Sequence, residues 1–320
     1  MSMTTANMSL LTRSEIWSTE LKDILRDEMM AQRYVKMLDG FPDGDQFTIP
    51  SIGQAQVDNY AEDTAVEYRP MDTGEFTFTI DKYLSSASYM TKKAMQDAFY
   101  ASEMMSRFVP EQERAIMAHF ETTTLATPEA GVVADSNEAI DGVEHRWAAG
   151  GTGAVINVDD FARARFALKK ANVPDRNLIA IVDPSVEFTL NTLSSLTSVA
   201  NNPKWEGIVS TGIATGMNFI ANIYGFDVYT SNYLKDITDG ALNTAADAGV
   251  DFGTVNGKAN LFFSADQAAT PFVGAWRQTP DVDTEYNKDF QRQEFVTTAR
   301  YGVKLYRPEN MVRVISKTNV

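Results

Sequence analysis

The sequence predicts an α+β fold, in which extended and helical segments occupy separate stretches of the chain. Between residues 46 and 80 the apolar residues return at every second position, which is typical of strands with one buried face. Between residues 87 and 108 they return at every third or fourth position, which is typical of a helix with one apolar stripe. A buried strand that runs directly into a helix start, at residues 178–184, predicts a further mixed region.

Composition excludes several classes of function. The chain has 320 residues, a formal net charge of −15, no cysteine, and two histidines, His119 and His145. Disulfides, thiolate nucleophiles and cysteine-bound metals are therefore excluded, and two histidines are too few for a multi-histidine centre. The longest aliphatic run, Leu178–Val182, is far shorter than the roughly 20 residues of a membrane span, and the first residues lack a secretory signal. We therefore expect a soluble protein that is not exported and whose main task is not binding nucleic-acid phosphates.

The first predicted elements are a helix and a hairpin. Residues 12–15 fit a capping box, and the apolar stripe that follows predicts an amphipathic helix ending near Gly40. Residues 42–45 predict a turn, and residues 46–80 predict one long, thin hairpin whose two ends meet at its base. A ribbon with so few apolar residues cannot bury a core of its own. It must pack against another part of the protein or against another molecule.

Charge is distributed unevenly along the chain. Residues 39–81 contain ten acidic residues and one basic residue, which places −9 of the net charge there, whereas residues 285–320 contain seven basic and four acidic residues. The basic end could contact nucleic acid, but the charge distribution favours pairing with the acidic hairpin of a neighbouring molecule. The residues expected at such inter-subunit contacts are Glu62, Asp63, Glu67, Arg69, Arg292, Arg300 and Lys304.

A long helix and a mixed region are predicted next. The helix covers residues 87–108, is stopped or kinked by Pro110, and restarts over residues 111–120. Asp159 predicts the N-cap of a helix that ends near Ala171, and Asp183 with Pro184 predicts a helix start directly after the strand Leu178–Val182.

The remaining predictions concern the last third of the chain. Residues 225–233 alternate like a strand, whereas residues 236–260 read as a surface loop or insertion. Residues 295–305 and 311–315 predict a closing pair of strands that is turned by residues 307–310.

No group of residues has the pattern of a catalytic, cofactor or metal site. The glycine-rich loop at residues 150–153 is followed by residues that read as a strand, and no lysine follows, so a flexible loop is favoured over a phosphate cradle. Asp183 is better explained as a helix cap than as a catalytic carboxylate. His119 and His145 each stand near one glutamate, which does not complete a ligand set. We therefore expect no enzyme activity and no cofactor.

The order of the segments resembles the major capsid proteins of tailed bacteriophages, which share the Hong Kong 97 fold. Four stretches carry this resemblance: IWSTELKDILRDEMMAQRYV (16–35), FTIDKYLSSASYMTKKAMQDA (78–98), GMNFIANIYGFDVYTSNYL (216–234) and RYGVKLYRPENMVRVI (300–315). They are similar to that family's N-terminal arm, its passage from extended loop to spine helix, its glycine-flanked strand segment and its final strands. Each pattern is loose, and the specificity comes from their order.

The resemblance implies a division of the chain and a set of partners. Residues 1–43 would be the N-terminal arm, 44–81 the extended loop, 82–150 with 284–320 the peripheral domain, and 151–283 the axial domain. Copies would assemble in the host cytoplasm into hexamers and pentamers of an icosahedral virion shell that encloses double-stranded DNA. A portal is implied, and the short segment before the loop implies a separate scaffolding protein. No membrane takes part.

One departure from the family bears on how subunits are joined. Some members link subunits through an isopeptide bond from a lysine of the extended loop, but residues 44–81 contain no lysine, and the nearest is Lys82. We therefore predict non-covalent shells. An encapsulin, which shares the fold and encloses enzymes, is the alternative shell protein. An α/β enzyme or ligand-binding protein built around residues 178–196 is the alternative of another class, and it would require a concave pocket with convergent polar groups.

Overall fold

The computed structural model of the chain describes residues 31–38, 46–52, 73–97, 101–133, 136–192, 219–238, 241–243, 249–251 and 257–317, with the single positions 29, 57, 59, 62, 63, 65 and 68. The helices are α1 (Ala31–Tyr34), α2 (Lys92–Asp97), α3 (Ala101–Ala126), α4 (Val158–Lys170) and α5 (Pro184–Thr192). The strands of the first half are β1 (Lys36–Met37), β2 (Gln46–Ile52), β3 (Thr73–Thr79), β4 (Lys82–Thr91), β5 (Ala139–Ile140), β6 (Val143–Glu144) and β7 (Arg146–Ala148). Those of the second half are β8 (Leu178–Val182), β9 (Phe219–Ile223), β10 (Phe226–Thr230), β11 (Asp236–Ile237), β12 (Ala241–Asn243), β13 (Gly249–Asp251), β14 (Gly257–Ser264), β15 (Phe272–Asn287), β16 (Arg292–Leu305) and β17 (Met311–Lys317).

Two sheets organise these strands. A seven-stranded sheet has the order β7-β17-β14-β8-β10-β9, with β11 paired to β14, and a four-stranded sheet has the order β1-β15-β16-β4. The mixture of helices with these two sheets and with the separate β2–β3 ribbon confirms the α+β class.

The seven-stranded sheet is covered on both faces. On one face, α4 and α5 pack against it in a cluster that includes Phe161, Leu190 and Phe262. On the other face, the second half of α3 packs against it in a cluster that includes Phe120 and Phe263. All five residues of β8 are buried, as a strand covered on both faces requires.

The predicted hairpin is present at its base. Strands β2 and β3 pair in antiparallel register from Gln46 opposite Thr79 to Ile52 opposite Thr73. At this end the ribbon packs on its own subunit, where Phe78 and Ile80 are buried against Val273 of β15. A Cβ atom on Gly302 would lie 2.6 Å from the Thr79 carbonyl oxygen, so only glycine allows β16 to approach the base this closely.

The helix predicted over residues 87–108 is wrong at its start. Residues 82–91 form β4, because they pair with β16 along their whole length, from Lys82 opposite Tyr301 to Thr91 opposite Arg292. Helix is confirmed at α2 and α3, and α3 continues through Pro110, so proline does not stop it. Pro110 removes one backbone hydrogen bond from the helix. The following turns stabilise the continuous helix, because Ile116 and Phe120 are buried there and Phe120 packs in one cluster with Phe263 of the seven-stranded sheet.

Other elements differ from the predictions in position or pairing. The N-cap of α4 is Asn157, which forms a capping box with Asp160, whereas Asp159 lies in the first turn. The strands at the end of the chain exist but do not pair with each other, because β16 lies between β15 and β4 whereas β17 lies between β14 and β7. The predicted loop at residues 236–260 contains β11, β12, β13 and the start of β14, a buried strand of the seven-stranded sheet.

The described residues include only part of the predicted N-terminal helix, but they include the predicted domain boundary at residues 283 and 284. The predicted helix before residue 29 lies outside the described residues, and its described end, α1, stops at Tyr34 instead of Gly40. The proposed boundary between residues 283 and 284 lies within β15, a continuous strand from Phe272 to Asn287. The division into named arm, loop and domains stays a prediction.

Candidate functional site

Asp183, the carboxylate considered as a catalytic candidate, has a structural role. Asp183 Oδ2 accepts hydrogen bonds from the Ser185 backbone N–H at 3.0 Å and from the Ser185 hydroxyl at 2.5 Å, which is the geometry of a cap on α5. No group of three or more histidine, aspartate or glutamate side chains in the described part of the chain has the geometry of a metal site.

The glycine-rich loop binds a carboxylate of its own chain. The Gly150 backbone N–H donates to both carboxylate oxygens of Asp160. Trp147 Nε1 donates to Oδ1, and the Asn157 backbone N–H donates to Oδ2. Residues 154–157, which were predicted to form a strand, have a bend at Ala154 and no strand, and they lead directly into α4. The helix N-terminus that a phosphate would need is therefore present, but Asp160 already supplies the negative charge there. Burial nevertheless raises the pKa of Asp160, and these hydrogen bonds oppose that rise.

The two histidines belong to different parts of the structure. His119 Nδ1 on α3 lies 2.8 Å from Tyr301 Oη on β16 and helps to hold the helix on the four-stranded sheet. His145 is buried, and its Nδ1 lies 2.9 Å from the Val143 carbonyl oxygen. Burial lowers the pKa of His145, which favours the neutral ring. Thr123 Oγ1 lies 3.4 Å from His119 Nδ1 and accepts a hydrogen bond from Tyr301 Oη at 3.1 Å, so these three side chains link α3 to β16.

A buried ionic cluster that the sequence interpretation missed joins α3 to the seven-stranded sheet. The Glu129 carboxylate, just after α3, lies 3.0 Å from Arg146 Nε on β7 and 3.7 Å from Arg313 Nη1 on β17. Arg313 Nη1 also donates to the Pro128 carbonyl oxygen at 2.5 Å, and Arg146 Nη1 donates to the Ser136 carbonyl oxygen at 3.0 Å. Arg313 belongs to the basic end of the chain that, by sequence alone, could contact nucleic acid or a neighbouring hairpin. Its side chain is only 3 % exposed, so it does not reach either.

The four-stranded sheet has one covered and one exposed face. Toward α3, Gln112 Nε2 donates to Ser88 Oγ at 2.8 Å, and Phe120 stacks on Trp276 with ring centroids 4.9 Å apart. The opposite face, which we call the exposed sheet face, is formed by cross-strand rows of paired residues. From the hairpin base outward these rows are Tyr83–Arg300–Gln278, Ser85–Thr298–Asp281, Ala87–Val296–Asp283, Tyr89–Glu294–Glu285 and Thr91–Arg292–Asn287.

The predicted inter-subunit residues are found at two places. Glu62 and Asp63 are exposed in the segment that joins β2 to β3, whereas Glu67 and Arg69 lie outside the described residues. The three basic candidates Arg292, Arg300 and Lys304 all lie on β16.

The three basic residues on β16 differ in their contacts within the subunit. Arg292 Nε lies 2.6 Å from Glu294 Oε1, which lowers the pKa of that carboxyl, and its guanidinium lies over the rings of Tyr89 and Phe290. Lys304 Nζ donates to the Thr77 carbonyl oxygen at 2.8 Å and so ties β16 to the hairpin. Arg300 lines a groove of about 680 Å³ beside the hairpin base, together with Arg277, a residue that the sequence interpretation did not single out.

The candidate surfaces for contacts between subunits are therefore the exposed acidic residues Glu62 and Asp63 and the exposed sheet face. No helix in the described part of the chain is both long and apolar enough to span a bilayer. An enzyme needs convergent reactive groups in a pocket, whereas these two surfaces suit contacts between proteins.

Comparisons with known proteins agree with this description. A model of the phage capsid protein family matches residues 74–314. Among solved structures, a chain of Mycobacterium phage Che8 is 17 % identical with a TM-score of 0.68, over 95 % of this chain and 97 % of that one. A capsid chain of cyanophage P-SCSP1u is 14 % identical with a TM-score of 0.72, over 98 % and 95 %.

A capsid chain from a native GTA particle is also similar, at 11 % identity and a TM-score of 0.64, over 98 % of each chain. A search of curated protein sequences found no match. Likeness at these identities shows the fold, and the matches confirm the Hong Kong 97-type capsid fold. The family match favours a phage shell protein over an encapsulin or an enzyme. Because that match extends over well more than half of the sequence, the chain belongs to the phage capsid protein family, as a structural, non-enzymatic shell protein of the tailed-phage type.

Proposed function

We propose that copies of this chain assemble as hexamers and pentamers into the icosahedral head of a tailed phage. The observation that carries this proposal is the exposed sheet face beside the base of a thin two-stranded hairpin. Large exposed side chains such as Tyr83 and Tyr89 on that face are contacts that a second subunit can bury. A shell repeats each such contact many times, so individually weak contacts suffice.

In this proposal the hairpin lies across a neighbouring subunit. Its acidic residues Glu62, Asp63 and Glu67 would face basic residues of β16 on that neighbour. Exposed charge pairs contribute only about 0.2–1 kcal/mol each, so their effect depends on repetition around the shell. Arg69, the one basic residue of residues 39–81, would belong to the same contact.

The proposed partners other than the chain itself are a scaffolding protein, a portal and double-stranded DNA. A net charge of −15 supports a shell that encloses DNA without adhering to it, because like charges repel. Assembly would take place in the host cytoplasm and end in the virion.

Size-exclusion chromatography followed by negative-stain microscopy of the purified chain, alone and with the scaffolding protein, tests the proposal. We expect rings or closed shells. A chain that stays monomeric under both conditions would refute the proposed assembly. Particles recovered from infected cells are expected to hold nuclease-protected double-stranded DNA, and particles that hold enzymes instead would identify a compartment shell.

The absence of lysine from residues 44–81 predicts that subunits are joined without isopeptide bonds. Mature particles boiled in dodecyl sulfate should therefore run as a single band near 35.4 kDa on a denaturing gel. A ladder of covalent multimers would contradict this prediction but leave the assembly itself intact.

A further inference from the structure

We propose that residues 136–144 form an acid-sensitive flap, which opens on an otherwise folded subunit when the buried ring of His145 becomes charged. The flap, as we call these residues, contains β5, β6 and the turn that joins them. It directly precedes His145 and β7, the edge strand of the seven-stranded sheet. This inference concerns the single subunit and goes beyond the proposed assembly.

The flap buries little surface of its own. All nine of its residues are exposed or half-buried, whereas residues 145–149 directly after it are all buried. Val143 packs against the edge of the core cluster beneath α4 and α5. An ion pair between Glu144 and Arg163, near the surface, ties the flap to α4. Segments with few buried apolar contacts open at a lower free energy than the core does.

The position of His145 satisfies the neutral ring but not the charged ring. His145 is only 1 % exposed, and its Nδ1 lies 2.9 Å from the Val143 carbonyl oxygen. Since a carbonyl oxygen accepts hydrogen bonds, this contact assigns the proton of the neutral ring to Nδ1. A further proton binds Nε2, which is buried and has no hydrogen-bond partner among the described residues. The charged ring would therefore bury an unsatisfied donor, which is costly.

The groups that face His145 favour the neutral ring on balance. Burial lowers the pKa of His145 most, and the guanidinium of Arg313 on β17 lowers it further. Asp141 and the carbonyl oxygens of Val143 and Glu309 act in the opposite direction without outweighing these effects.

The buried ionic cluster adds a second cost to the charged ring. Glu138 of the flap lies 3.7 Å from Arg313 Nη2, so two carboxylates, of Glu129 and Glu138, face the guanidinium groups of Arg146 and Arg313. These four charges balance while His145 is neutral. A charged His145 would make three cations for two carboxylates in a buried site, where like charges are poorly screened.

Opening of the flap relieves both costs. Asp141 and Val143, which act on the ring, belong to the flap, so its movement admits water to Nε2. The paired strands β5 and β6 are closed by a turn at Asp141 and Gly142 with φ angles of 50° and 73°, which lets them move as one hairpin. Glu138 also lines a groove of about 810 Å³ together with Arg313. An open flap would therefore uncover a basic surface in acid.

Hydrogen exchange of the unassembled subunit, followed by mass spectrometry, tests the inference. His145 stays neutral under the closed flap and titrates near its ordinary pKa of about 6.5 when the flap is open. The equilibrium constant for opening should therefore rise by up to about tenfold between about pH 7.5 and about pH 5.5. After correction for the intrinsic effect of pH on exchange, peptides of the flap should lose protection by that factor. Peptides of α4 and β8 should keep theirs.

Variants assign the effect to one histidine. His145→Gln carries no titratable ring and should abolish the acid-dependent opening, whereas His119→Gln removes the other histidine of the chain and should leave the opening unchanged. If His145→Gln does not fold, Glu138→Gln tests the same cluster with His145 in place. It removes a carboxylate that faces Arg313, so the flap should already be more open at neutral pH. Glu113→Gln, at an exposed position of α3, is its matched control and should change nothing.

The inference is overturned if the flap keeps its protection in acid, or if α4 and β8 lose protection to the same extent. It is also overturned if acid still opens the flap of His145→Gln, or if Glu138→Gln opens it no more than Glu113→Gln does. All of these results come from the unassembled subunit and leave the proposed function intact. A chain that forms no shells would refute the proposed function and leave the flap intact.

Discussion

The two sheets of the subunit differ in how many of their faces are covered. The seven-stranded sheet is covered by α4 and α5 on one face and by α3 on the other, and its strand β14 is buried over seven of its eight residues. In the four-stranded sheet, β4 alternates between half-buried and exposed residues along its whole length. The first sheet is buried within one chain, whereas the second has an exposed face, which we propose contacts other chains. Substitutions in the two sheets should therefore separate folding from assembly.

The largest effect on folding is expected in the core of the seven-stranded sheet. Phe262 is fully buried, and its ring meets those of Phe161 and Phe226 edge to face. Replacing it by alanine should lower the free energy of unfolding by about 4 kcal/mol, since it removes buried surface and leaves a cavity. Tyr89→Ala on the exposed sheet face is the matched change and should cost under about 1 kcal/mol. Urea unfolding of the unassembled chain measures both.

Equal losses of stability in these two variants would contradict the separation of folding from assembly between the two sheets. If Tyr89→Ala keeps the stability of the subunit but lowers the yield of shells, that result assigns the exposed sheet face to contacts between chains.

The buried ionic cluster gives the next largest effect. Glu129→Gln removes the carboxylate shared by Arg146 and Arg313 and leaves two buried guanidinium groups without it. We expect a loss of about 3 kcal/mol in the free energy of unfolding, because removing a carboxylate shared by two buried charges is costly. Arg313 keeps the carboxylate of Glu138, 3.7 Å from its Nη2. Glu113→Gln, at an exposed position of α3, is the control and should change stability by under about 0.5 kcal/mol. Equal losses in the two variants would show that the cluster does not stabilise the junction of α3 with the seven-stranded sheet.

Local patterns in the sequence predicted the elements whose structure is decided locally. The alternation of Phe76, Phe78 and Ile80 predicted the base of the hairpin, and the run Leu178–Val182 predicted a buried strand. Pairing between strands that are distant in the sequence has no local signal. For this reason the predicted pairing of β16 with β17 and the predicted helix at residues 87–91 are both wrong.

The same limit applies to the candidate site. Unequal charge along the sequence identified the acidic hairpin and the basic strand β16. It could not separate Arg300, which lines a groove beside the hairpin base, from Arg313, which is buried in an ion pair, because burial depends on the three-dimensional fold. Arg277 was missed because only a shift in the pairing of β15 brings it beside Arg300.

Acid should weaken the seven-stranded sheet through His145, which precedes β7. Burial lowers the pKa of His145, helped by the nearby charge of Arg313 and opposed by Asp141 and by the backbone carbonyls of Val143 and Glu309. The unfolded chain therefore takes up this proton at a higher pH than the folded chain. The contribution of His145 to stability is fully present above the pKa of about 6.5 that it has in the unfolded chain. As the pH falls below that value, the free energy of unfolding decreases by at most about 1.4 kcal/mol per pH unit, until the pH passes the lower pKa of the folded chain.

Urea unfolding at several pH values between about 5 and 7.5 measures this slope. His145→Gln should flatten it, whereas His119→Gln, which leaves His145 as the single histidine, should keep it. A slope that survives in His145→Gln would assign it to other groups.

The smallest effect on folding is expected at Lys304, where the four-stranded sheet meets the hairpin. Its Nζ donates to the Thr77 carbonyl oxygen at 2.8 Å and lies 5.1 Å from the centre of the Phe76 ring. Both contacts are near the surface, so Lys304→Met should lower the free energy of unfolding by under about 1 kcal/mol. If Lys304 acts mainly within its own subunit, shell yield should fall no further than this loss of stability explains. If it also faces an acidic residue of a neighbour, shell yield should fall more steeply in Lys304→Met than in Lys304→Arg, which keeps the charge. Sedimentation of particles from both variants decides between these two outcomes.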